Sequence, residues 1–158
     1  MKATGIVRRI DDLGRVVIPK EIRRTMRIRE GDPLEIYTTR DGEVIFKKYS
    51  LIGGLEEFAA QFCDTLSRSS DFSAAVTDRD TVIAMAGAGK RELLGKHLSP
   101  ELERIMAERG LYCGDGVAVS EEDNSYRAAV AAPILCEGDV LGAVLFLSPD
   151  GRTAGETE

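Results

Sequence analysis

The chain has 158 residues, 43% hydrophobic and 30% charged, with a formal net charge of −6; this suits one ordinary domain or two small ones around a packed core. No apolar run approaches the roughly 18–20 residues that would span a bilayer, and Met1-Lys2-Ala3-Thr4-Gly5 lacks a signal peptide's apolar stretch, so no membrane partner is expected and the setting reads as cytoplasmic. Cys63, Cys113 and Cys136 are widely spaced with no CxxC, and the one histidine, His97, has no partner at ligand spacing. They read as small apolar thiols in a reducing compartment, and no metal or cofactor is expected.

Residues 5–10 and 15–18 are short β-branched runs joined by Asp11-Asp12-Leu13-Gly14, a turn with glycine where positive φ is needed. Pro19 suits the first turn of a following helix. There Ile18, Ile22 and Met26 share one face and Arg23, Arg24 and Arg27 take the others, until Gly31-Asp32-Pro33 stops it. A second hairpin pairs Leu34–Thr38 with Glu43–Lys47 across Arg40-Asp41-Gly42. The unit reads ββαββ, too small to bury an adequate core alone; without disulfide or metal, dimerisation is the expected remedy.

Ser50-Leu51-Ile52-Gly53-Gly54 marks a boundary, giving units over 1–50 and 55–158 with a linker at 51–54. Leu55, Phe58, Ala59, Phe62, Cys63 and Leu66 outline an amphipathic helix of about fourteen residues. Strands are expected at Phe72–Val76 and Thr81–Met85, then helix at Lys90–Leu94 and at Glu101–Arg109, with Ser99 as N-cap and Gly110 as stop. Ser120–Ser125 reads as a loop, and Tyr126–Cys136 and Val140–Leu147 as long strands joined at Glu137-Gly138-Asp139. One more strand is expected near Val117–Val119. The order describes an antiparallel sheet with helices packed on it, and an α+β chain overall.

Charge is divided unevenly along this plan. Residues 1–50 hold 12 Lys+Arg against 8 Asp+Glu, a net of +4, and the remainder holds 9 against 19, a net of −10. Arginines punctuate the first turn and the helix after it, and the planar guanidinium fork fits phosphate oxygens and base edges. The basic head therefore reads as a nucleic-acid surface despite a pI near 5.0. Ala86-Gly87-Ala88-Gly89-Lys90-Arg91 imitates a phosphate loop but has Ala84 and Arg91 where glycine and Ser/Thr are required, so it reads as a strand-to-helix turn. Nothing brings Cys113 and Cys136 together or lowers a thiol pKa, and no enzyme is read.

Gly5-Ile6-Val7-Arg8-Arg9, the run Asp11 to Arg24 and Gly31-Asp32-Pro33-Leu34-Glu35 resemble the AbrB family of transition-state regulators, nearly continuously over residues 1–50. Asp78-Arg79-Asp80, Asn124-Ser125-Tyr126, Ala132-Pro133-Ile134, Glu137-Gly138-Asp139 and Gly142-Ala143-Val144 resemble a GAF-type sensory domain. The chain is identified as a member of the sporulation-regulator group that joins the two. The resemblance implies a swapped-hairpin β-barrel shared by two chains, double-stranded DNA as partner and a place on the nucleoid. It implies DNA contacts at Arg8, Arg15, Arg23 and Arg24, with Arg9 and Lys20 as outer phosphate contacts. It also implies a GAF-like sheet that oligomerises, to a tetramer, or holds a small-molecule effector lined by Met85, His97, Tyr112, Cys113, Tyr126 and Arg127. That domain is expected to lack its usual final helix, leaving apolar sheet surface uncovered. The alternative is an antitoxin-like interaction protein headed by the same swapped-hairpin unit.

Overall fold

The computed structural model describes residues 4–122 and 125–148. Residues 149–158, and with them the expected absence of a final helix, lie outside the described residues, as do positions 123–124 of the Ser120–Ser125 loop. The chain divides between Tyr49 and Ser50 into two compact units.

The first unit departs from its expected ββαββ order. Residues 4–18 form no strand; they run exposed, up to the half-buried Ile18, into and out of a turn closed by Asp11 N–H to Arg15 O (3.0 Å) and Gly14 N–H to Asp11 O (3.0 Å). A two-stranded ribbon with no third strand or helix beneath it is marginal, and within one chain these segments have none. Helix α1 (Lys20–Thr25) follows, with Pro19 just outside it, its carbonyl accepting from Arg23 N–H at 2.9 Å. The helix ends well before Gly31. Arg27 takes φ +51°, Ile28 N–H reaches Arg23 O (2.7 Å) and Arg27 N–H reaches Arg24 O (3.2 Å), a Schellman closure with arginine where glycine is usual. Strands β1 (Leu34–Thr38) and β2 (Val44–Lys48) pair antiparallel, Leu34 opposite Lys48, around Gly42 at φ +83°.

The second unit is a five-stranded antiparallel sheet between helices. Its strands are β3 (Ser73–Thr77), β4 (Val82–Ala86), β5 (Tyr112–Ala118), β6 (Arg127–Cys136) and β7 (Asp139–Ser148), in the order β4-β3-β7-β6-β5. Helix α2 (Glu56–Ser69) lies on one face, where Ala59 and Cys63 pack on Ala74, Val76, Ala84 and Ala86. The opposite face carries α3 (Lys90–Leu93) and α4 (Pro100–Ala107), with Leu93, Leu98, Leu102 and Ile105 over Ala75, Ala131, Ala143, Leu145 and Leu147. Period-two alternation along β3 and β7 sends successive residues to opposite layers, so β3 is buried throughout. Small residues dominate the α2 layer, which turns Phe58 and Phe62 outward; their rings stack at 6.4 Å.

Local details follow from particular residues. Ser99 caps α4 by accepting Leu102 N–H at 3.1 Å, as its sequence position implies. Left-handed backbone past α4 falls at Arg109 (φ +60°) rather than at Gly110. Strand β5 begins earlier than the expected Val117–Val119 and ends one residue sooner, at Ala118; a bulge between Cys113 and Val117 carries Gly114 and Gly116 within it. Gly142 has no room for a side chain: a Cβ there would lie 1.9 Å from Thr77 O.

Candidate nucleic-acid interface

The turn at residues 11–15 is organised by one side chain. Asp11 Oδ1 accepts Leu13 N–H (3.0 Å) and Arg15 N–H (2.8 Å), while Oδ2 accepts Arg15 Nε–H (2.8 Å). Short polar side chains make this kind of turn because the carboxylate replaces a backbone acceptor. Gly14 supplies the required positive φ (+77°). The two Arg15 hydrogen bonds, backbone first, hold the Asp11 carboxyl below its ordinary value of 3.8.

The arginines named from sequence are all exposed. Arg8 and Arg9 lie in the segment entering the turn and Arg15 leaves it, its side chain 69% exposed. Lys20 opens α1, and Arg23 and Arg24 fall in its last turn, where cations complement the helix dipole. Arg23 Nε–H also donates to Ile18 O at 3.2 Å. Behind this surface Lys48 Nζ donates to Arg27 O (2.8 Å) and lies 3.7 Å from Asp32, tying β2 to the loop after α1. A surface of this chemistry can grip phosphate oxygens and reach base edges.

Asp11 was legible only as a turn residue. Its second role shows in the spacing Asp-x-x-Gly-Arg, which sets a carboxylate four residues before a cation across a tight turn.

The six effector-lining candidates of the second unit sit in different environments. Met85 is buried in the core beneath α4, and Tyr112 and Tyr126 pack half-buried against the same cluster. The Tyr126 ring covers Gly89, where a Cβ would approach it to 2.8 Å. His97 and Cys113 are exposed, and the Arg127 guanidinium donates through Nε (3.2 Å) and Nη2 (2.8 Å) to Gly116 O in the β5 bulge. Burial pushes the Cys63 thiol up to about 11, the wrong direction for a nucleophile. Among the described residues no trio of His, Cys, Asp or Glu is arranged to hold a metal ion, and no helix is long and apolar enough to cross a membrane.

Comparison with known proteins divides the chain a few residues further on, between residues 51 and 54. Residues 54–158 match the family model described as stage V sporulation protein T C-terminal, transcription factor. Residues 7–51 match the model for antidote-toxin recognition MazE, bacterial antitoxin. Over its whole length the chain is 52% identical to stage V sporulation protein T of Bacillus subtilis (strain 168), spanning 90% of that protein. Over 49 residues, 31% of this chain and 50% of the relative, it is 63% identical to the transition state regulatory protein AbrB of the same organism. The solution structure of the N-domain of the transcription factor abrB is 61% identical over 31% of this chain and 92% of that one, with a TM-score of 0.29.

Proposed function

Because this chain belongs to the stage V sporulation protein T family, we propose that it is a DNA-binding transcription regulator of sporulation genes, working from the nucleoid without covalent chemistry. One observation carries the reading. Arg8, Arg9, Arg15, Lys20, Arg23 and Arg24 stand exposed on a unit in which Pro19 is the one buried residue among those described. Two copies would give each other a core and set two such arginine sets on one surface. The swapped-hairpin barrel is the form this pairing takes: residues 4–18, unpaired in one chain, add their strands to a partner's. The 63% identity over this unit to AbrB, a transition state regulatory protein, supports the regulatory reading.

The second unit serves as a GAF-like sensory or oligomerising domain. Exposed Phe58 and Phe62, stacked on α2, supply a seam for a second GAF-like unit and so for a tetramer of two DNA-binding dimers. A small-molecule effector would enter beside Tyr112 and Tyr126, the two half-buried aromatics of the α4 layer.

The test is a salt series of DNA binding by the full chain. Four arginines on each of two copies, each neutralising one phosphate, give a log–log slope of about −7. Binding that is absent, or indifferent to salt, contradicts the proposal. The antitoxin match over residues 7–51 favours a second reading, a head whose tail neutralises a partner protein. Limited proteolysis separates the two: a stable fragment starting near Ser50 supports the regulator, and a tail degraded throughout supports the antitoxin.

A further inference from the structure

Resting on the reading of Arg15 as a DNA contact, we propose that Asp11 is a positioning residue for DNA recognition. Its carboxylate holds the Arg15 guanidinium by the Nε edge and thereby presents the terminal Nη1/Nη2 fork to the duplex.

Two backbone N–H groups, those of Leu13 and Arg15, fix Asp11 Oδ1, and this leaves Oδ2 as an acceptor of set direction. Arg15 Nε–H donates to that oxygen at 2.8 Å. A guanidinium has two usable forks, one along its side (Nε and Nη2) and one at its end (Nη1 and Nη2). With Nε engaged, the side fork is blocked and the end fork remains. Arg15 makes no other side-chain interaction among the described residues, so the end fork is open to solvent. Arg23 is arranged alike: its Nε–H is held by Ile18 O at 3.2 Å. Two of the four principal arginines thus share one device, tethered at Nε and free at the tip. A side chain already held in place gives up less rotamer freedom on binding, and its fork is aimed before contact.

The proposal runs against simple electrostatics, which makes it testable by sign. A carboxylate beside a phosphate backbone repels it, so a merely incidental Asp11 would weaken binding and its neutralisation would tighten it. A positioning Asp11 predicts the reverse. Asp11→Asn separates its two tasks. The asparagine Oδ1 can still accept the Leu13 and Arg15 N–H groups and keep the turn, whereas Nδ2 is a donor and cannot receive Arg15 Nε–H.

The experiment measures full-chain binding, by fluorescence anisotropy, to a duplex enriched from a random pool by the wild-type protein. Wild type, Asp11→Asn, Arg15→Ala and the double variant are compared. Asp11→Asn should weaken binding by about three- to tenfold, Arg15→Ala should weaken it more, and the double variant should match Arg15→Ala. The Arg15 Nε–H resonance should be slowly exchanging in wild type and fast in Asp11→Asn, with the Leu13 amide unmoved in both. If Arg15→Ala weakens binding but Asp11→Asn leaves it unchanged or tighter, the positioning role is wrong. An Asp11→Asn loss of equal size in the Arg15→Ala background overturns it too, because the effect would not pass through Arg15. If Arg15→Ala binds like wild type, the reading of Arg15 itself fails. Should Asp11→Asn not fold, a rapidly exchanging Nε–H in the wild-type protein alone overturns the tether.

Discussion

The two units treat their apolar residues in opposite ways. Between Ile52 and Leu147 large side chains fill layers above and below a five-stranded sheet, Met85, Leu93, Leu98, Leu102 and Leu145 fully buried, although Phe58 and Phe62 face outward. In the first unit Val7 is 89% exposed and Val17 70%, and Ile10, Leu13, Ile36 and Val44 also lie open. These residues are as hydrophobic as those of the second unit; what differs is the amount of structure available to cover them. A sheet with helices on both faces encloses a core within one copy. A six-residue helix beside a two-stranded ribbon does not. The contrast implies that the first unit's stability is a property of an assembly.

Substitutions sharpen the contrast. Leu102→Ala empties a site under α4 and should destabilise the second unit by about 2–5 kcal/mol, seen as a lower denaturant midpoint for that unit with the first unit's transition unchanged. Gly142→Ala presses a methyl onto Thr77 O, and separating β3 from β7 should cost about 1–3 kcal/mol in the same assay. In the first unit the largest effect should be on binding rather than folding. Arg24→Ala removes one phosphate contact per copy, so a dimer's log–log salt slope should flatten by about 1.8 while its melting stays close to wild type. An unchanged slope would remove Arg24 from the interface.

The smallest effect is that of acid on the 11–15 turn. Asp11 titrates below its ordinary 3.8 because of the Arg15 hydrogen bonds. A depressed carboxylate contributes stability that is complete above the unfolded-chain value and lost as pH falls through the folded one. The slowly exchanging Arg15 Nε–H signal should therefore survive at the ordinary carboxylate value and vanish only below it. Disappearance while pH is still above 3.8 would show that the ion pair does not hold the turn.

The helices and strands of the second unit were largely legible in sequence because their signals are local, such as Ser99-Pro100 opening a helix and Glu137-Gly138 at a hairpin; the strand order was not, because pairing is decided between distant segments. Strand β5 extends beyond its expected start because a bulge carries Gly114 and Gly116, residues of low strand propensity, inside it. In the first unit the β-branched runs at residues 5–10 and 15–18 were read as strands, yet within one chain they pair only at the turn. Propensity reports a preference for extended backbone and says nothing about where the paired strand comes from. Charge and the AbrB resemblance pointed to Arg8, Arg9, Arg15, Arg23 and Arg24, all of which are exposed. Asp11's grip on Arg15 was hinted at only by the Asp-x-x-Gly-Arg spacing, because a tether depends on the direction of a hydrogen bond.

The central claim is that residues 4–49 complete their core with a second copy. Isotope-filtered NMR on full-length protein, mixed from labelled and unlabelled chains, tests it most directly. The account predicts intermolecular NOEs from the methyl groups of Ile6, Val7, Ile10, Val16 and Val17 to side chains of the other copy. First-unit NOEs that are all intramolecular, with those methyl groups in contact with water, would contradict it.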